Sequence, residues 1–402
     1  MDRRTFSRAT GLTIAATAAG VPMATVAQGA TPAATSASGG IATMLATAPA
    51  TYPWVEEPEN LTINVADIAT QLEVAGVTPP DTGDDPGLRQ WVTANYGMAM
   101  PSGAFDFLIL WREDYGFDLL QADQTLWMHQ SPFTLLLFRG RFDHDAIRAR
   151  LTEKGYAEIE FGGYPLLSLR DDYEIDFDGP FNYGLPEMNH AAFLEDGTIA
   201  FSSVRAALAA VLDVAAGTAP SLMDHEKIAK LVEQAPAGVV SGTIVSGTAL
   251  AGSLPPAVIE VIEAGGTPDL DAIATESAAT SEMPPIALLM LYATAGGPFI
   301  DPSGPPEGPV PWEGVPDGRA GALALMLSPE AAEAAVPVVE ERLATGESGD
   351  AGVPYRDYFP QWDVRAVPSQ PVLVVDLALD PERRRNHLWR MLFERELGFL
   401  AW

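Results

Sequence analysis

The chain of 402 residues contains no cysteine. That excludes disulfides, thiol nucleophiles, Cys-ligated zinc, iron–sulfur centres, thioether-linked haem and a lipidated Cys anchor. Positive charge is scarce: 23 Lys and Arg stand against 54 Asp and Glu, a formal net charge of −31. Phosphate backbones and anionic lipid repel such a polyanion, so no nucleic-acid partner is expected. Lys154, Lys227 and Lys230 are the only lysines, so the few bases are nearly all arginine. Long hydrophobic runs are missing as well. Past the N-terminal segment the longest is Ile286–Ala295, about half of what a membrane helix needs, and no transmembrane span is expected in the mature chain.

Motifs of common chemistries are absent too. Ser241 and Ser246 each precede a glycine but lack the flanking pair of a Gly-x-Ser-x-Gly elbow. His225-Glu226 begins a zinc-protease helix signature, yet Ala229 stands where the second histidine belongs. There is no Gly-x-Gly-x-x-Gly and no Walker loop. His129, His144, His190, His225 and His387 share no ligand spacing. His190, beside Asn189 and ahead of a strand, is the histidine to inspect first.

What is present begins at the N-terminus. Asp2-Arg3-Arg4-Thr5-Phe6-Ser7-Arg8 precedes a mild apolar stretch to about Val26. This resembles a twin-arginine export signal, with Arg3, Arg4 and Phe6 carrying the likeness. Asp2 and Ser7 depart from the usual residues. Cleavage is expected after Ala27 or Ala30. Loss of Asp2, Arg3, Arg4 and Arg8 would take the charge to −33. The resemblance implies an exported, extracytoplasmic protein, secreted or in the cell envelope.

Residues 28–51 are nearly all Ala, Thr, Ser, Gly and Pro without charge, the composition of a flexible tether. An α+β domain is expected over 52–295. In residues 296–318, 13 of 23 are Gly or Pro, which predicts a loop or linker. Residues 319–402 read as a C-terminal strand–helix repeat packing on the same fold. Phe105–Trp111 and Thr134–Phe138 have strand composition. Asp143 can cap a helix that carries Ile147 and Leu151 and stops at Gly155. Gly162-Gly163 and Glu195-Asp196-Gly197 predict hairpin turns. Helices are expected over Ser203–Ala216 and Met223–Gln234, then a strand at Val239–Val245.

Ala322–Leu327 followed by Ser328-Pro329-Glu330, and Val374–Leu379 followed by Asp380-Pro381-Glu382, form an internal repeat of strand, cap and helix. Ser328 and Asp380 suit the N-cap, the prolines the first helical turn, and Gly346 and Gly398 the stop. Phe138–Gly155 is a shorter relative. The expected fold is α+β: mixed or antiparallel sheets with helices on one face, built from duplicated strand–cap–helix modules.

Thr62-Ile63-Asn64-Val65-Ala66-Asp67-Ile68-Ala69, Arg139-Gly140-Arg141-Phe142-Asp143 and Gly155-Tyr156 with Gly163-Tyr164-Pro165-Leu166 resemble a group of bacterial secreted proteins without assigned activity. The likeness spans about residues 60–240, through packing and turn motifs; it implies a fold and no chemistry.

Two clusters remain. Glu174, Asp176 and Asp178 before Gly179 imitate the start of a calcium loop, but Leu185 holds the closing position and Glu187 lies nearby. Strict alternation over Tyr173–Phe177 reads instead as an exposed strand. Calcium is the one candidate ligand ion; no other cofactor is expected. Arg383, Arg384, Arg385, Arg390 and Arg395 gather in a final helix, where pairing with the protein's own acids is the ordinary role. Trp54, Trp91, Trp111, Tyr115, Trp127, Trp312 and Trp362 are potential sugar platforms that more often serve as core. The expected function is a non-catalytic ligand- or protein-binding envelope component with an unidentified partner. The rival is an extracytoplasmic hydrolase, carboxylate- or metal-assisted and carbohydrate-directed, for which no catalytic residue is singled out.

Overall fold

Burial runs almost unbroken along the central strands: six consecutive residues in Phe133–Gly140, seven in Arg319–Met326 and seven in Val239–Ser246. Strands that bury both alternations belong to a sheet covered on both faces. The computed structural model describes residues 39–52, 58, 61–81, 87–95, 98, 108–130, 132–176, 185–247, 282–296, 318–348, 352–378 and 397–401. All of them lie in the compact unit of residues 35–402. Among them twelve strands form one antiparallel sheet in the order β11-β12-β10-β9-β8-β1-β2-β3-β7-β6-β5-β4.

The strands are β1 Thr62–Asp67, β2 Ala122–Gln130, β3 Phe133–Gly140, β4 Ala157–Phe161, β5 Tyr164–Ser168, β6 His190–Phe193, β7 Thr198–Ser202, β8 Val239–Ser246, β9 Ile286–Thr294, β10 Arg319–Met326, β11 Gln361–Ala366 and β12 Val372–Ala378. From the junction of β1 with β8 the chain follows the same course outward on both sides. One side runs β1-β2-β3-β7-β6, the other β8-β9-β10-β12-β11. The first side continues into the hairpin β5–β4; at that stage the second has an isolated bridge between Glu347 and Pro354.

Nine α-helices among the described residues cover both faces, which corrects the expected one-sided arrangement. The front carries α1 (Gly39–Leu45), α6 (Arg205–Ala215) and α7 (Glu226–Glu233), which share one apolar core with Ile63, Val65, Leu135, Leu137, Met290 and Val374. The back carries α2 (Ile68–Ala75), α3 (Leu88–Asn95), α4 (Leu108–Tyr115) and α5 (His144–Glu153) over the first half. Over the second half lie α8 (Pro329–Thr345) and α9 (Tyr355–Tyr358). The back therefore holds two separate cores. Alternation assigns the faces: Leu135 and Leu137 point to the front core, Leu136 and Phe138 to the back.

The local signals behave as expected. Asp143 accepts from Ala146 N (3.0 Å) and Ser328 from Ala331 N (3.2 Å), each as an N-cap. Gly162 and Gly163, at φ 61° and 86°, turn β4 into β5, a geometry that favours glycine at both positions. The helices expected after Ser203 and Met223 are α6 and α7.

Three expectations change. Leu108–Tyr115 is a helix where Phe105–Trp111 suggested a strand, because Trp111 and Tyr115, one turn apart, both bury in the back core; residues 105–107 lie outside the described set. The C-terminal part of the expected tether is packed structure. Ile41, Met44 and Leu45 are fully buried, on one side of α1, and α1 approaches so closely that a Cβ on Gly40 would fall 1.5 Å from Asp67 Oδ2. Residues 171–173 form a bend and turn, with Tyr173 at φ 63°, and 174–176 are irregular, so the alternating strand is not formed over the described residues 173–176. Arg3, Arg4, Phe6, Asp178, the loop residues 297–317 and residues 379–396 with the C-terminal arginine cluster lie outside the described residues.

Candidate functional site

His190 is where polar groups converge. It opens β6, pairs with Ser168 on β5 and Ser202 on β7, and is fully buried. Ser168 Oγ lies 2.9 Å from His190 Nδ1 and 3.1 Å from the Arg170 carbonyl, to which it donates. On the other side Asp172 Oδ1 lies 2.9 Å from His190 Nε2, off the line of a hydrogen bond. That same oxygen accepts from Arg205 N and Arg205 Nε, both at 3.0 Å.

These contacts have a structural logic. Val204, the N-cap residue of α6, offers no side-chain acceptor, and Asp172 supplies one from the neighbouring loop. Asn189 holds that loop from inside, donating through Nδ2 to the carbonyls of Asp171 (3.1 Å) and Glu174 (2.9 Å). Tyr173 N donates to Ser203 O (2.9 Å), so the residue that follows β7 anchors the loop a third time.

Burial of the imidazole lowers the His190 pKa to about 4, and the Arg205 charge adds to this against the opposing pull of Asp172. The ring is neutral at pH 7. Burial also raises half-buried Glu187 to about 7, so near neutrality it titrates while the histidine does not.

Serine, histidine and aspartate thus line up, but not as a poised nucleophile. Ser168 directs a hydroxyl proton to a carbonyl, and Asp172 is committed to a helix end and a guanidinium. Glu174 and Asp176, the calcium candidates among the described residues, are likewise engaged. Glu174 Oε2 accepts from Asp171 N (3.1 Å), and Asp176 pairs with Arg170 at 3.3 Å. Among the described residues no three His, Asp or Glu converge as a metal set. Sequence reasoning pointed to His190 but missed Ser168, Asp172 and Arg205, which come from different elements with no shared spacing.

A second feature lies at the end of the sheet. β4 is an edge strand, with Glu158 and Glu160 exposed and Ile159 and Phe161 packed on the front core. Glu158, Ile159, Glu160, Gly163 and Pro165 line a shallow open groove of about 390 Å³. The guanidinium of Arg205 stands 5.9 Å from the Phe161 ring, which links this edge to the His190 cluster. At the opposite edge, β11 carries its own Arg365–Asp363 ion pair (2.5 Å). Comparison with family models, with characterised proteins and with solved structures finds no match to this chain.

Proposed function

We propose that this protein is a non-catalytic, extracytoplasmic envelope component that binds a cationic, extended partner segment along β4. The observation that carries the reading is that β4, paired only with β5 among the described residues, ends the sheet with Glu158 and Glu160 exposed beside its groove. An edge strand offers unpaired backbone groups to an incoming strand, and two carboxylates favour a basic one. They also oppose pairing of two copies through this edge, because like charges would meet. Export rests on Arg3, Arg4 and Phe6. The test is fluorescence anisotropy with labelled peptides alternating Lys and Val or Glu and Val. Salt-sensitive binding of the first, lost in Glu158→Lys/Glu160→Lys, is expected. Equal binding of both peptides, or of neither, overturns the reading.

A second reading is a serine hydrolase, favoured by the 2.9 Å approach of Ser168 Oγ to His190 Nδ1. Its test is labelling by a fluorophosphonate. Labelling abolished by Ser168→Ala would replace the binding reading, and no labelling of wild type would remove the hydrolase.

We also infer that the two halves of the sheet are duplicates. Matching β1 to residues 241–246, β2 to β9, β3 to β10, β6 to residues 363–366 and β7 to residues 372–376 carries one set of registers onto the other. Thr62↔His129 becomes Ser241↔Ala293, Leu135↔Ser202 becomes Gly321↔Asp376, and His190↔Ser202 becomes Asp363↔Asp376. On this match Ser328 falls one position short of the equivalent of Asp143 and caps the helix at the same stage of its half, while Asp380 follows β12 as α6 follows β7. The repeat within 319–402 then compares two different positions of one half. An experimental structure in which a single two-fold rotation fails to overlay these strands would refute the duplication.

A further inference from the structure

The centre of the back face of the sheet carries a group of neighbouring polar side chains. Asn64 on β1 stands opposite Trp127 on β2 and opposite Thr243 on β8. Alternation places all three on the back, since their neighbours Ile63, Val65, Leu126, Met128 and Ile244 belong to the front core. Thr125 and His129 lie two residues either side of Trp127 and share its face. These side chains sit in the middle of the sheet, where β1 pairs with β2 on one side and β8 on the other.

Their hydrogen bonding is incomplete. Thr243 satisfies Asn64 Oδ1, but Asn64 Nδ2, Thr125 Oγ1, Trp127 Nε1 and His129 Nε2 have no partner among the described residues. Asn64 and Thr125 are fully buried and Trp127 is 7% exposed. His129 stacks on Trp127 with ring centroids 4.3 Å apart, and burial lowers its pKa, so the ring is neutral at pH 7. Buried polar groups are rarely left unmatched, and four such atoms on neighbouring positions of two paired strands describe a complement.

The chemistry of that complement follows from the atoms. The amide and indole nitrogens can only donate; the threonine hydroxyl and the imidazole nitrogen can donate or accept. No formally charged side chain stands at these five register positions, so an ion would go uncompensated. Hydroxyl groups, which accept and donate at once, match the set, and a neutral polyol or sugar carries several in a small volume.

We propose that the β1–β2 seam, through Asn64, Thr125, Trp127 and His129, binds a small neutral polyhydroxylated ligand. This site is separate from the β4 edge and does not depend on it. The test is an NMR titration of the full chain with glycerol and with glucose, following the indole N–H resonances of its eight tryptophans, with Trp127 assigned by Trp127→Phe. The expected result is a saturable shift of the Trp127 resonance with at least one of the two. Asn64→Leu and Thr125→Val should each weaken it about tenfold, the loss of one hydrogen bond, while the other indole resonances keep their folded positions. A Trp127 resonance in folded wild-type protein that neither compound moves saturably overturns the proposal and leaves ordered water as the complement.

Discussion

Thr243 Oγ1 donates a 2.8 Å hydrogen bond to Asn64 Oδ1, from β8 to β1, with both side chains buried where the two halves of the sheet join. Thr243→Val keeps the shape and removes the donor, leaving a buried amide oxygen unmet. We expect a loss of about 1–3 kcal/mol in urea unfolding, with Thr243→Ser much closer to wild type. A valine variant as stable as the parent would show that this bond does not hold the junction.

Asp172 caps α6 from another segment and pairs with Arg205 as it does so. Asp172→Ala should cost about 1–2 kcal/mol, the range of a lost N-cap. It should also speed hydrogen exchange at the first amides of α6. Exchange unchanged there would mean that Asp172 does not cap α6.

The pH dependence has two opposed parts. His190 titrates near 4 when folded and near 6.5 when unfolded, so the unfolded chain binds more protons between those values. Its contribution is fully present above pH 6.5 and declines as pH falls toward 4. Glu187 is the reverse: raised from 4.5 to about 7, it contributes fully below pH 4.5 and loses that contribution as pH rises through 7. Urea midpoints of Glu187→Gln relative to wild type should therefore climb from pH 4.5 to 7 and level off above. A flat difference across that window would contradict the burial assigned to Glu187.

The packed segment before β1 makes a further prediction. Met44→Ala should cost about 2–5 kcal/mol, as truncation in a filled core does. Gly40→Ala should destabilise too, because its Cβ collides with the Asp67 carboxylate. Neutral outcomes for both would return residues 39–50 to the role of a tether.

The signals that carried through from sequence were local ones. Asp143 and Ser328 cap helices because an oxygen three residues before a free amide can reach it whatever the rest of the chain does. Gly162-Gly163 turns because few other residues accept two positive φ angles. The misreadings share a cause. Ala- and Thr-rich residues 39–50 look featureless until Ile41, Met44 and Leu45 are seen to share a side, and Leu108–Trp111 is apolar enough for either period. At the candidate site His190 drew attention as a residue type, but its partners could not, since Ser168, Asp172 and Arg205 come from a strand end, a turn and a helix start.

By itself the sequence determined the absence of thiol chemistry, the strongly negative charge and the caps, turns and stops. Each of these depends on composition or on atoms within a few residues of one another. Only the tertiary structure decided the sheet order, the burial of both faces and the meeting of Asn64 with Thr243. Strand pairing is a choice among distant partners, made by which cores the combined strands can bury. Among the described residues the same choice left one edge of β4 without a strand partner and four polar atoms without complements, and the two binding proposals rest on those consequences.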